Sequence, residues 1–210
     1  MTVDWGLEID AQQFGENGEA SPGTLGIANL NLDPFQRGWE YLDMLRQLTP
    51  ESNMIELSDD ISDRIRICTW IGDRIDSINL ELTDCLEACH QCFPKANRQN
   101  IKIFAAPLAS RYGIDGLCNI WLDPIVIFID VGRVSSEDWL SLVVHEYAHA
   151  HLKSPGHDRR FLEVLTHLCL GIGLAPPVPA PEMDRAAISS LRNWPHCNST
   201  PNPLAFWQGK

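Results

Sequence analysis

The sequence predicts an α+β domain, and three observations predict it: one long helical stripe, three short β-type runs behind it, and two further helical segments after those. The stripe is Ile61, Ile65, Cys68, Gly72, Ile75, Ile78, Leu82, Cys85 and Cys89, whose steps of three and four mark one face of a single helix. Residues 101–106 and 125–131 are rich in β-branched side chains and residues 116–121 lie between them, which predicts a small three-stranded sheet, mixed or antiparallel. The chain's 210 residues suit one domain with extensions and bury a sizeable core without disulfides.

Taken in order, residues 1–33 are rich in Gly, Asn, Glu and Ser and read as a flexible arm. Residues 34–174 form the expected domain. Phe35, Trp39, Leu42 and Leu45 have helical spacing and Pro50 ends that segment. After the long helix and the strands, with Asp123-Pro124 as the turn between the second and third, Ser135 and Asp138 resemble a capping box opening a helix that runs through Leu152. Lys153-Ser154-Pro155-Gly156 stops it. A following helix starts near Asp158, carries Phe161, Leu165, Leu168 and Ile172 on its apolar face, and ends at Gly171 and Gly173. Residues 175–210 read as a Pro-rich C-terminal extension with a short helix around 182–192.

Charge and cysteine usage narrow the function classes. A formal charge of -12 repels phosphate backbones, and the short basic clusters do not form a stripe, so a nucleic-acid role is disfavoured. No apolar run approaches a membrane span and the N-terminus has no apolar h-region, so the expected location is cytoplasmic. Seven cysteines at irregular spacings fit a reducing compartment. Cys85, Cys89, His90 and Cys92 resemble a metal knuckle, yet Cys68, Cys85 and Cys89 fall on the apolar stripe, where a thiol behaves as a small hydrophobe. The core reading is preferred, with Cys118, Cys169 and Cys197 left as possible distant ligands.

The chemistry concentrates in residues 143–161. His145 and His149, four apart on a helix, present both imidazoles on one face, where one zinc ion can reach both. Glu146 between them is turned aside far enough to miss the metal and meet a water on it, which suits a general base. A catalytic zinc needs a third protein ligand, and His157, beyond a Pro155-Gly156 bend, is the preferred one. Glu163 and His167, one turn apart on the next helix, are rivals. His151 points to another face, and Asp158 caps the next helix or orients a ligating histidine.

The run HEYAHAHLKSPGHDRRF resembles the HExxH signature with a downstream histidine found in zincin metallopeptidases, especially SprT-like and other minimal zincins. The likeness covers roughly residues 101–174 and includes the order of elements: long backing helix, three strands, HExxH helix, second helix. It implies a compact zincin-like fold and a zinc-dependent peptidase acting on a peptide or protein substrate, with His145, His149 and His157 on Zn2+ and Glu146 as the base. It also implies an edge strand that holds extended substrate, for which residues 125–131 are the candidate. Tyr112, Arg159 and Arg160 are candidates for the oxyanion stabiliser. Two other functions share these residues: a non-catalytic zinc-containing peptide-binding module on the same fold, and a zinc-dependent amidohydrolase for a non-peptide substrate.

Overall fold

The computed structural model describes residues 33–177, 191 and 194–210. The first helix, α1 (Pro34–Leu48), starts where Asp33 accepts a hydrogen bond from the Gln36 backbone N–H, with Pro34 in the first turn where its missing donor costs nothing. Asp60 caps α2 (Ile61–Gln91) in the same way through the Asp63 N–H. The 31-residue α2 carries the predicted stripe, and Ile67, Cys68, Ile71, Gly72, Ile75, Ile78, Leu82, Leu86 and Cys89 are buried along it. Ile61 and Ile65, placed on the stripe by spacing, are exposed, because α2 begins before it meets the core. Glycine lets α1 and α2 approach closely, since a Cβ at Gly38 would overlap the Cys68 carbonyl and one at Gly72 the Pro34 carbonyl.

Three strands follow: β1 (Ile101–Ala105), β2 (Gly116–Asn119) and β3 (Ile125–Ile129). Their order is β1-β3-β2, with β1 parallel to β3 from Ile101↔Ile125 and β2 antiparallel to β3 from Gly116↔Ile129, so the sheet is mixed. This corrects the expectation that residues 125–131 supply an edge strand. All five residues of β3 are buried, as suits a central strand covered on both faces, and the edges are β1 and β2. At the β1 edge, Ala105 is tied to the helices: Asn79 Oδ1 accepts its N–H at 2.9 Å and the Tyr41 hydroxyl donates to its carbonyl at 2.7 Å.

The helix α3 (Trp139–Leu152) is buried from Leu142 to Ala150, as expected of a helix packed between sheet and neighbouring helices, and among those residues His145, Glu146 and His149 are the polar or charged ones. The expected capping box does not form. Ser135 precedes a single 3-10 turn (Ser136–Asp138), neither Ser135 nor Asp138 makes a side-chain cap, and Asp138 Oδ2 instead accepts the Asn198 N–H at 2.7 Å. Last come α4 (Arg159–Ile172), capped by Asp158 on the Phe161 N–H, and a short α5 (Pro203–Trp207).

The described C-terminal residues pack onto this core. Ser199 bridges Val134, Asn198 O accepts from Ser135 N, Thr200 N donates to Arg133 O, and Trp207 Nε1–H donates to buried Asp130 at 2.9 Å. Trp70 of α2 meets Phe206 and Trp207 edge-on. The arm at 1–32 and the short helix expected at 182–192 lie outside the described residues, apart from Leu191. Among the described residues no helix is long and apolar enough to cross a membrane.

Candidate metal centre

Two of the candidate ligands come from α3 and the third from the loop after it. His145 and His149 share a face one turn apart, with ring centroids 5.0 Å from each other. Lys153 then ends α3 in the left-handed region (φ 50, ψ 46), its N–H bonding back to Ala150 and His149 carbonyls. That residue, rather than the Pro155-Gly156 pair, reverses the chain; Gly156 is not among the positive-φ glycines. The reversal delivers His157 to the first two rings, with Nε2–Nε2 separations of 3.1 Å to His145 and 3.2 Å to His149.

The convergence has the dimensions of a cation site. Among the described residues, His145, His149 and His157 are the group of three or more metal-type donors that lie within 4.8 Å of one another. Three nitrogens at about 2.0–2.1 Å from a tetrahedral zinc stand roughly 3.3 Å apart, close to the two Nε2–Nε2 separations found here. The tautomer of His149 is also set. Its Nδ1 lies 2.8 Å from the Ser154 carbonyl, which only accepts, so Nδ1 carries the hydrogen and Nε2 turns its lone pair to the other two rings. Burial lowers the pKa of both helix histidines; for His145 the charges of His149 and His157 lower it further, against an opposing pull from the Trp194 backbone. The α3 pair is therefore held neutral, the form that ligates.

Phe161 forms the floor. This fully buried α4 side chain has its ring centroid 5.1, 4.5 and 4.7 Å from those of His145, His149 and His157. It was legible only as one apolar position on a helix, although its place four residues after His157, behind the Asp158 cap, ties it to the same turn.

Glu146 projects from α3 against β2. It is buried, and burial raises its pKa from 4.5 to about 8. A Cβ at Gly116 would stand 2.8 Å from Oε1, 3.0 Å from Cγ and 3.1 Å from Cδ, so the glycine of β2 leaves the room this side chain fills. Cys118, two residues on along the same strand, has its thiol pushed up by burial and by the Glu146 charge. A glycine opening the predicted strand at 116 is the sequence feature that permits this close approach.

The rival residues go elsewhere. Glu163 pairs with Arg159 at 3.0 Å on the exposed side of α4, and His167 meets the Cys92 carbonyl at 2.9 Å. His151 stacks on Phe93 at 4.1 Å, on a different face from the triad. Arg160 and His167 line a cavity of about 480 Å³ with Cys92 and Phe93. Of the three oxyanion candidates, Arg159 is the partner of Glu163, Arg160 lines that cavity, and Tyr112 donates its hydroxyl proton within a pair of acceptors, Glu51 at 2.9 Å and Asn53 at 2.6 Å. Cys68, Cys89 and Cys169 are buried, all seven cysteines are free, and no cysteine belongs to the convergent donor group. The chain matches no protein-family model, no curated protein and no solved structure.

Proposed function

We propose that the chain is a zinc-dependent peptidase on a zincin-like fold, with His145, His149 and His157 holding the ion and Glu146 as general base. The observation that carries this reading is the meeting of three imidazole Nε2 atoms at the helix that also bears the buried carboxylate of Glu146. When bound, zinc supplies a Lewis acid that acidifies water and polarises a carbonyl. The protein's own groups supply the rest. Ser154 O orients His149 through Nδ1, Phe161 lies against all three rings, and the ionised Glu146 carboxylate, next to His145 on α3, would take up a proton and return it to the leaving amine.

The sheet supports a peptide as substrate. Among the described residues β2 pairs only with β3, so its outer edge keeps free backbone donors and acceptors beside the residue that contacts Glu146. An extended chain adding to that edge would bring a peptide carbonyl toward the base. A buried glutamate is of no use to a site that only holds a partner, which favours catalysis over a binding module.

The test combines metal content with turnover. Purified full-length protein is expected to bind one zinc, to lose it in the His145→Ala/His149→Ala variant, and to cleave unfolded protein substrates. Glu146→Gln should keep the zinc and lose cleavage. Hydrolysis at the wild-type rate in Glu146→Gln removes Glu146 as base; zinc binding without cleavage of any protein or peptide, in wild type, turns the reading to a binding module.

A further inference from the structure

The C-terminal segment reaches the histidines from outside the motif. Trp194 lies with its ring centroid 6.4 Å from that of His145 and only 20° from parallel to it. It is held from both sides. Leu191, whose carbonyl accepts the Trp194 N–H at 3.2 Å, is fully buried in the core, and residues 198–200 are laced to 132–138 by the Ser135, Asn198 and Thr200 hydrogen bonds. Trp207 then anchors the end of the chain on Asp130.

The two α3 histidines differ in what their outer nitrogens meet. His149 Nδ1 donates to Ser154 O, whereas His145 Nδ1 is buried with no partner at hydrogen-bonding geometry. The backbone group bearing on His145 is that of Trp194. A ligating imidazole needs its far N–H accepted, because that bond fixes the tautomer, aims the ligating lone pair and raises its basicity. A buried ring N–H without an acceptor is instead destabilising.

We propose that Trp194 is the positioning residue of His145: its backbone carbonyl accepts the Nδ1 hydrogen once a cation is bound, and its indole shields the ring. The C-terminal segment is then part of the metal centre, doing for His145 what the loop after α3 does for His149. This rests on reading the three histidines as a zinc site.

The experiment uses the full chain with zinc and, as a visible probe, Co2+. Trp194→Ala, which keeps the carbonyl but removes the indole that shields the bond, is expected to weaken zinc binding by roughly 10-fold in competition with a chromogenic chelator and to alter the Co2+ absorption bands; Trp194→Phe, which keeps an aromatic ring on the same backbone, should recover most of both. A residue that only supports folding would lower the melting temperature and leave the Co2+ spectrum unchanged, and that result overturns the proposal. Should Trp194→Ala fail to fold, long-range 1H–15N spectra of zinc-loaded wild type decide: a protected His145 Nδ1–H supports the carbonyl acceptor, and a rapidly exchanging one rejects it. A wild-type chain that takes up neither zinc nor Co2+ refutes the zinc site itself, which separates that failure from loss of the Trp194 role in a chain that does bind.

Discussion

Replacing Gly116 with alanine tests Glu146, the proposed base, separately from the three histidines proposed to hold the metal. The new methyl would approach three atoms of one side chain, Glu146 Oε1 at 2.8 Å, Cγ at 3.0 Å and Cδ at 3.1 Å, about 0.6 Å inside the 3.4 Å at which ordinary contact begins for the nearest. Rotating the carboxylate relieves the oxygen but leaves Cγ and Cδ too close, so the whole side chain has to move. Displacements of about 1 Å in a positioned catalytic group cost up to roughly 100-fold in rate, so a loss of about 10- to 100-fold is expected. Overpacking at such a site costs about 1–3 kcal/mol of stability. The three imidazoles are not the atoms overlapped, so zinc content should stay at the wild-type level. The assay is kcat/KM on an unfolded protein substrate with zinc measured on the same sample. In a Glu146→Gln background the second substitution should remove little more, since both act through one carboxyl. Zinc-replete Gly116→Ala within twofold of the wild-type rate would refute the idea that β2 positions the base.

Three other outcomes follow from the same geometry. For the metal-free protein, Glu146 binds its proton more tightly folded than unfolded between pH 4.5 and about 8, so its contribution to stability grows as pH falls through that window. Glu146→Gln should therefore melt higher than wild type above pH 8 in the presence of a chelator, the difference closing towards pH 4.5; a pH-independent difference counts against the buried carboxyl. Lys153→Gly should relieve about 1 kcal/mol of left-handed backbone strain and raise the melting temperature by about 2–4 °C, with no rise if that strain is absent. Asp130→Ala strips the acceptor from Leu108 N, Gly132 N, Arg133 Nε and Trp207 Nε1, and should cost at least about 3 kcal/mol, whereas a change under 1 kcal/mol in denaturant titrations would show that these donors find water instead.

Much of the architecture was readable because its signals are local. The α2 stripe repeats over eight turns, and burial of Cys68 and Cys89 follows from their places on it. The meeting of His145 with His149 is fixed by helical geometry, and the approach of His157 by a tight reversal eight residues later. Strand order was less accessible, since it depends on pairing across sequence; even so, the unbroken apolar run IVIFI of β3, against GLCN of β2, marks a strand covered on both faces. The capping box misled because Asp138 has a better donor in Asn198, sixty residues away. Trp194 gave no signal at all. It lies 37 positions beyond His157, and only folding of the C-terminal segment onto the core brings it to His145.

The ring of Phe161 carries a consequence for selectivity. A rigid hydrocarbon wall touching all three imidazoles offers no electron pair of its own, yet it limits how far any of them can retreat. The cradle is thus shaped by its walls before a guest arrives, so loading should leave the backbone in place. Larger divalent ions, which demand longer bonds and more oxygen donors, would have to push against that wall and should be turned away.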